Sequence, residues 1–384
     1  MNALYYESIF FFSMFMIFYV YIGYPACIWV LSRLLGRHVN KTASEPRVSI
    51  LIAAFNEEEH IGQTIANKLE LNYPKDKMQI IVVSDDSTDR TDELVNSFPE
   101  ENVTLLRQEP RAGKTSALNL AIPHANGDVL VFSDANSIYA ADSLRHIMAN
   151  FHDPQVGYVT GKMIYTNPDG TPIGDGCSAY MKYENFLRSL ETQIGSVVGV
   201  DGGIDAMRKG LYRNMTPDQL PDFVQPLKVI EQGYRVVYEP EAILKESALS
   251  QSREEYQMRV RVSLRSLWAL YDMRPLLFGK AGLVFAWQLW SHKLLRYLVF
   301  LFLLGALVTN SLLLTDAFIY KVVFVTQTAC YAGGFFSLLF EKTRMQLNRL
   351  HFLHYFILLN TAAAHAAIKF ILGKKQVMWT PRKG

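Results

Sequence analysis

The chain has 384 residues, room for one catalytic domain of ordinary size and several membrane helices. Its 38 lysines and arginines nearly cancel 36 acidic residues, leaving +2, which excludes the basic footprint of a nucleic-acid-binding protein. Cys27, Cys177 and Cys330 lie far apart and have neither metal-site nor disulfide spacing, as suits a reducing compartment.

Hydrophobic residues gather at the two ends. Residues 8–31 form a nearly uncharged apolar run, longer than the roughly 20 residues a spanning helix needs. Glu7 precedes it, where a cleavable signal would carry basic residues. Arg33, Arg37 and Lys41 follow, so the positive-inside rule takes the chain into the cytosol after Leu31.

Residues 47–244 alternate strand and helix patterns. Strands are predicted at 48–54, 79–84, 103–107 and 129–133, with helices at 60–71, after Asp89 and at 115–122. Such alternation predicts a Rossmann-like α/β domain with a mainly parallel sheet and a ligand crevice at the strand carboxyl ends. Asn56-Glu57, Asp85-Asp86 and Asp134-Ala135-Asn136 stand at those ends. No G-x-G-x-x-G or Walker A pattern occurs, so a bound diphosphate needs another counter-charge. A divalent metal on Asp134 and Asn136 would supply it, helped by Lys114 and Arg261. Asp85 and Asp89 also read as turn and cap residues, and Asp222 as a helix cap.

Farther on, 254–271 reads as a basic interfacial helix and 275–291 as an apolar interfacial stretch carrying Trp287 and Trp290. Residues 294–314 and 320–340 read as two more spans, followed by Lys342, Arg344 and Arg349. Residues 351–372 span, re-enter or lie in the interface, because His351, His354, Thr361, His365 and Lys369 share one face. The expected organisation is an N-terminal span (1–40), a cytosolic catalytic domain (41–250), interfacial helices (251–293) and C-terminal membrane helices with a cytosolic tail (294–384).

Several motifs, in order, resemble the family 2 glycosyltransferases of GT-A fold. The likeness is to their membrane-bound branch, which includes the cellulose, hyaluronan and poly-N-acetylglucosamine synthases. Ile52-Ala53-Ala54-Phe55-Asn56-Glu57 is similar to the opening strand and turn that border the nucleotide. Val83-Ser84-Asp85-Asp86 resembles the segment whose leading aspartate, here Asp85, holds the uracil. Arg111-Ala112-Gly113-Lys114 with Ala117-Leu118-Asn119 resembles the donor element. Ser133-Asp134-Ala135-Asn136 stands in the place of the metal-binding Asp-x-Asp, with Asn136 for the second aspartate. Val200-Asp201-Gly202-Gly203-Ile204-Asp205-Ala206-Met207-Arg208 resembles the acceptor-side segment, and Leu220-Pro221-Asp222-Phe223 the region of the catalytic aspartate. Met258-Arg259-Val260-Arg261-Val262 keeps only Arg261 of the Gln-x-x-Arg-Trp motif, which weakens a reading as a long-chain processive polymerase. Trp379-Thr380-Pro381-Arg382 resembles a tail motif near the cytosolic active site.

The resemblance implies a membrane-bound enzyme using a UDP-sugar and Mg²⁺ or Mn²⁺. Asp222 would be general base in an inverting transfer. The acceptor would be a growing polysaccharide or, alternatively, a lipid-linked acceptor such as a polyprenyl phosphate or glycolipid, receiving one sugar. Three or four spans are few for a polymer channel, so either a second copy or partner membrane subunit assists, or the product is small or lipid-linked. A non-catalytic transport subunit is the competing class. It would place polar groups inside its spans, and the two clear C-terminal spans lack them.

Overall fold

A computed structural model describes residues 2–99, 102–166, 172–247, 251–340 and 351–378. Helix α1 (Asn2–Phe18) passes through a π turn (Tyr19–Gly23) into α2 (Tyr24–Leu35). Pro25 cannot donate to the turn before it, and the π turn takes up the break.

The central domain then runs β1 (Val48–Ala54), α3 (Ile61–Leu69), β2 (Met78–Asp85), α4 (Thr91–Asn96), β3 (Val103–Gln108), α5 (Lys114–Ala121) and β4 (Val129–Asp134). It continues with β5 (Ile138–Tyr139), α6 (Ser143–Asn150), β6 (Val156–Thr166), α7 (Pro172–Ile194), β7 (Ile204–Arg208), α8 (Pro221–Glu231) and β8 (Arg235–Ser247). The strands form one sheet in the order β3-β2-β1-β4-β7-β6-β8-β5. The first four are mutually parallel, β7 enters antiparallel to β4 and β6, and β6 and β8 are again parallel.

The four strands expected from apolar runs stand within a residue of their predicted bounds. Their burial explains why: β1 is buried along its whole length. Ile50, Ile52 and Ala54 point into a core on one face of the sheet, and Leu51 and Ala53 into a core on the other. The helices cover both faces, so the strands are continuously apolar rather than alternating. The register Ala53–Asp134 and Ala54–Ser84 brings the carboxyl ends of β4, β1 and β2 side by side.

Six helices follow among the described residues: α9 (Ser252–Asp272), α10 (Arg274–Leu277), α11 (Leu283–Gln288), α12 (Leu295–Leu312), α13 (Phe318–Phe340) and α14 (His351–Ile371). A π turn (Leu289–Leu294) joins α11 to α12, so one helical stretch runs from Leu283 to Leu312. The expected interfacial stretch at 275–291 is therefore divided. Its break falls at Gly282, whose φ of +97° favours glycine, and Trp287 and Trp290 belong to the long helix.

Ala3–Leu35 and Leu283–Leu312 are each long and apolar enough to cross a bilayer. Their outward side chains include Phe11, Phe12, Phe15, Leu301 and Leu304, all exposed. A continuous apolar exterior of this kind calls for a non-aqueous cover. Helix α14 lies along α9: His354 meets Ser252 at 3.0 Å, His365 meets Tyr256 at 3.1 Å, and the Phe370 ring sits 4.6 Å from Trp268. Two residues of the polar stripe read from the sequence, His354 and His365, thus contact α9, while Thr361 is exposed and donates to the Ile357 carbonyl of its own helix. The chain then returns to the central domain, where Lys375 pairs with Asp218 at 2.6 Å. No disulfide joins the three cysteines.

Candidate active site

A cavity of about 770 Å³ opens beside the carboxyl ends of β1 and β4. It brings together Glu57, Lys114, Asp134, Asn136, Asp222 and Arg261, six of the residues singled out from the sequence. Lys114 starts α5, directly after Gly113. Its ammonium reaches Asp134 at 2.7 Å and Asp222 at 3.4 Å. Burial works against the Lys114 charge, but the two carboxylates hold its pKa above the usual lysine value. Asp222 feels the opposite balance: burial and Asp134 raise its pKa, although Lys114 and Arg265 pull it down. A proton is correspondingly easier to place on Asp222 than on an ordinary aspartate.

Asp222 occupies the first turn of α8, and 27% of its side chain stays exposed to the cavity. Its position is fixed from two sides. Gly202, at φ +86°, abuts it so closely that a Cβ there would overlap the Asp222 carboxyl group. The Gly202 amide donates to Asp205 at 3.0 Å, and Tyr158 donates its hydroxyl to the same carboxylate at 2.9 Å. Asp205 is fully buried, and burial with the nearby Asp222 charge pushes its pKa up to about 7. On the other side, the loop before α8 is tied to α5. Thr115 donates to the Gln219 carbonyl at 2.8 Å, Asn119 to the Met215 carbonyl at 2.7 Å, and the Arg265 guanidinium also donates to Gln219. Burial lowers the Arg265 pKa to about 10.

Asp134 ends β4, and Asn136 follows it with its amide 3.5 Å from Glu246 on β8. Glu57 is mostly buried near them. Burial, then the Asp134, Asp89 and Glu246 carboxylates, push its pKa up to about 7. This is a local excess of hard oxygen donors, the chemistry that suits Mg²⁺ or Mn²⁺. Among the described residues no three His, Cys, Asp or Glu side chains stand close enough to hold a metal alone. Asp134 and Asn136 therefore fit an ion that takes its other ligands from phosphate and water.

Three of the sequence-selected residues do not line the cavity. Asp85 is fully buried; its carboxylate accepts the Ala112 amide at 2.8 Å, the Gly113 amide at 3.0 Å and the Gln108 side chain. It clamps the loop that delivers Lys114. Asn56, at φ +54°, accepts the Thr88 amide at 2.8 Å and joins the β1 and β2 turns. Ala54 is fully buried in the core. Asp89 takes its turn role, accepting the Thr91 amide at 3.0 Å. Arg259 is held in the α9–α14 contact by Glu255 at 2.7 Å and Tyr355 at 2.6 Å.

Glu246 was missed by sequence reasoning, and Asp205 was read only as part of the acceptor-side segment, with no role of its own. Each lies in a strand whose pattern reads as core, and only the folded sheet turns it toward the site. Trp379, Thr380, Pro381 and Arg382 lie outside the described residues. The tail does approach the site: the Val377 carbonyl is 3.2 Å from where a Cβ on Gly113 would stand.

Residues 49–214 match the model of the glycosyl transferase family 2. That segment is a family 2 glycosyltransferase domain by this match. The enzyme is 26% identical over 367 residues to the probable glycosyltransferase YdaM of Bacillus subtilis (strain 168), covering 87% of this chain and 86% of that one. It is 31% identical over 203 residues to the poly-beta-1,6-N-acetyl-D-glucosamine synthase of Staphylococcus aureus (strain COL), covering 51% of this chain and 48% of that one. It thus aligns with about half the length of that synthase. Among solved structures it is similar to the mannosyltransferase PcManGT from Pyrobaculum calidifontis in complex with GDP-Man and Mn²⁺. That match has a TM-score of 0.74 at 22% identity and covers 96% of this chain and 99% of the other. At that identity it shows a shared GT-A fold, flanking helices included.

Proposed function

We propose that the glycosyltransferase moves a sugar from a UDP-sugar to a hydroxyl of a growing glycan, with inversion, at the cytosolic face of the cell membrane. The observation that carries the reading is the meeting of Lys114, Asp134 and Asp222 in one cavity. The names of two relatives support the class: one is a polysaccharide synthase, the other was solved with a nucleotide-sugar and Mn²⁺.

Asp222 accepts the proton of the acceptor hydroxyl. The freed oxygen bonds to the anomeric carbon as the bond from that carbon to the diphosphate breaks, and UDP leaves with the electron pair. Lys114, between the two carboxylates, meets the charge that grows on the diphosphate, and Arg261 adds to it. Asp134 and Asn136 would hold Mg²⁺ or Mn²⁺, which when bound offsets the negative charge of the leaving group. The basic residues after the first apolar helix support a cytosolic catalytic domain.

The test is nucleotide release by the purified full chain against a panel of UDP- and GDP-sugars, with and without Mn²⁺, followed by mass analysis of the product. Metal-stimulated release from a UDP-sugar is expected. Release only from GDP-sugars would overturn the donor assignment, and no release from any donor would overturn the reading as a whole.

A further inference from the structure

The active-site cavity runs from the apolar helices at the chain's two ends, near Ile17 and Phe352, to the donor-side carboxylates. At the donor end Asp134 and Asn136 sit on one tight turn, in which the Ser137 amide donates to the Asp134 carbonyl at 3.2 Å. A single helix holds that turn from behind. On α3, Thr64, Asn67 and Lys68 share a face at helical spacing. Thr64 donates its hydroxyl to the Ala135 carbonyl at 2.6 Å, and Lys68 Nζ donates to the Ser137 carbonyl at 2.5 Å. Asn67 accepts the Tyr139 amide at 2.8 Å and donates to the Tyr139 carbonyl at 2.9 Å. The carbonyls of every second residue, 135, 137 and 139, are thus gripped by α3, while Asp134 and Asn136 line the cavity.

Packing does not explain Lys68. Ile61 and Ile65, on the same side of α3, are fully buried in the core, and Lys68 is buried as completely. An apolar side chain would fill that place, whereas taking a lysine out of water is costly unless its hydrogen bonds are met. Among the described residues Lys68 meets them without a carboxylate partner. Its Nζ has the Ser137 carbonyl, the Asn67 side chain at 3.1 Å, and the Tyr139 ring, whose centre is 3.5 Å away. The Tyr139 hydroxyl in turn donates to the Gly203 carbonyl at 2.8 Å, beside the Gly202 that abuts Asp222. One buried side chain therefore stands between the donor turn and the segment behind the base.

We infer that Lys68, with Thr64 and Asn67, is a positioning residue for the divalent metal: it touches neither ion nor sugar, but holds the turn in the shape that lets Asp134 and Asn136 face one ion. This rests on the metal-site reading above and names what orders that site. Two effects of Lys68 oppose each other and can be told apart. Its charge lies near enough to Asp134 to act on it, and so by itself opposes a cation there. Its hydrogen bond orders the ligands of that cation. Removing the side chain tightens metal binding if the first effect rules and weakens it if the second does.

The test titrates the full chain in detergent with Mn²⁺ in the presence of UDP, reading the free ion by electron paramagnetic resonance. Lys68→Met keeps the length of the side chain and removes its hydrogen bonds. Its Mn²⁺ dissociation constant should rise about tenfold, the usual scale for a residue that supports a metal ligand. The Mn²⁺ concentration giving half-maximal nucleotide release, followed alongside, should rise by the same factor. Loss of folded protein lowers the number of sites per chain and not their affinity, so a merely structural role would leave the constant unchanged. Thr64→Val, which loses one hydroxyl and keeps its shape, should raise the constant about threefold, the size of one neutral hydrogen bond. That variant decides the matter where Lys68→Met yields no folded protein. An unchanged or tighter constant in Lys68→Met, or in its absence an unchanged one in Thr64→Val, would overturn the inference. Absence of Mn²⁺ binding by the wild-type chain would instead overturn the metal site itself, and the inference with it.

Discussion

The donor end and the membrane end of the cavity are built in different ways. At the donor end, Asp85, Lys114 and Asp134 sit at or just after strand ends, and short loops hold them. At the membrane end, the partners come from far apart in the chain: Tyr24 donates to Glu191 at 2.6 Å, and His292 bridges Glu191 at 2.6 Å and Glu184 at 3.3 Å. The first region is assembled by the sheet. The second exists only when the first apolar helix, α7 and the stretch entering α12 meet. Asp222 lies where the two regions join, held by α5 on one side and by the glycine segment before β7 on the other.

Four changes probe this division. The largest effect is expected from Asp222→Asn, which keeps a helix-compatible polar residue but removes the base. Turnover should fall by about 10²–10⁴ while nucleotide-sugar binding, measured by calorimetry, persists. Near-normal turnover would remove Asp222 from the junction. Next, Gly202→Ala places a methyl group against the Asp222 carboxyl at a backbone angle that disfavours any Cβ. It should cut kcat by about 10² with little change in the donor's dissociation constant. Loss of donor binding instead would mean that this segment serves the donor end.

Lys114→Met should act on both carboxylates at once. A loss of about 10–10² in kcat/KM is expected, together with a raised pH optimum, because Asp222 loses the charge that lowers its pKa. An unshifted pH profile would separate Lys114 from Asp222. The smallest effect concerns Glu57, whose folded-state pKa is raised to about 7 from an ordinary 4.5. The folded state then binds the proton more tightly than the unfolded one. Its stabilising contribution is complete below about pH 4.5 and is lost as pH rises through about 7. Metal-free protein should melt progressively lower across that window, and Glu57→Gln should flatten the trend. An identical slope in the variant would place the local excess of negative charge elsewhere.

The same division explains what could be read from the sequence. The parallel strands were legible because β1, β2 and β4 are buried on both faces and so appear as unbroken apolar runs. Lys114, Asp134 and Asp222 were legible because each stands beside a local turn or helix start. Asp85 was found, yet its side chain binds its own chain's loop, a partner no local pattern reveals. Glu184, Glu191 and His292 carried no signal, since one glutamate in a helix reads as a solvated residue until its partner, more than 100 positions away, arrives. The start of the second long helix was misplaced because a π turn keeps the helix continuous where the hydropathy pattern weakens at Ser291, His292 and Lys293.

The central claim is a single displacement in which Asp222 is the base and no covalent sugar–enzyme intermediate forms. The anomeric configuration of the first product, followed by proton NMR from a UDP-sugar of known anomer before any mutarotation, tests it most directly. The account predicts a product of opposite configuration to the donor. A product of retained configuration would contradict it.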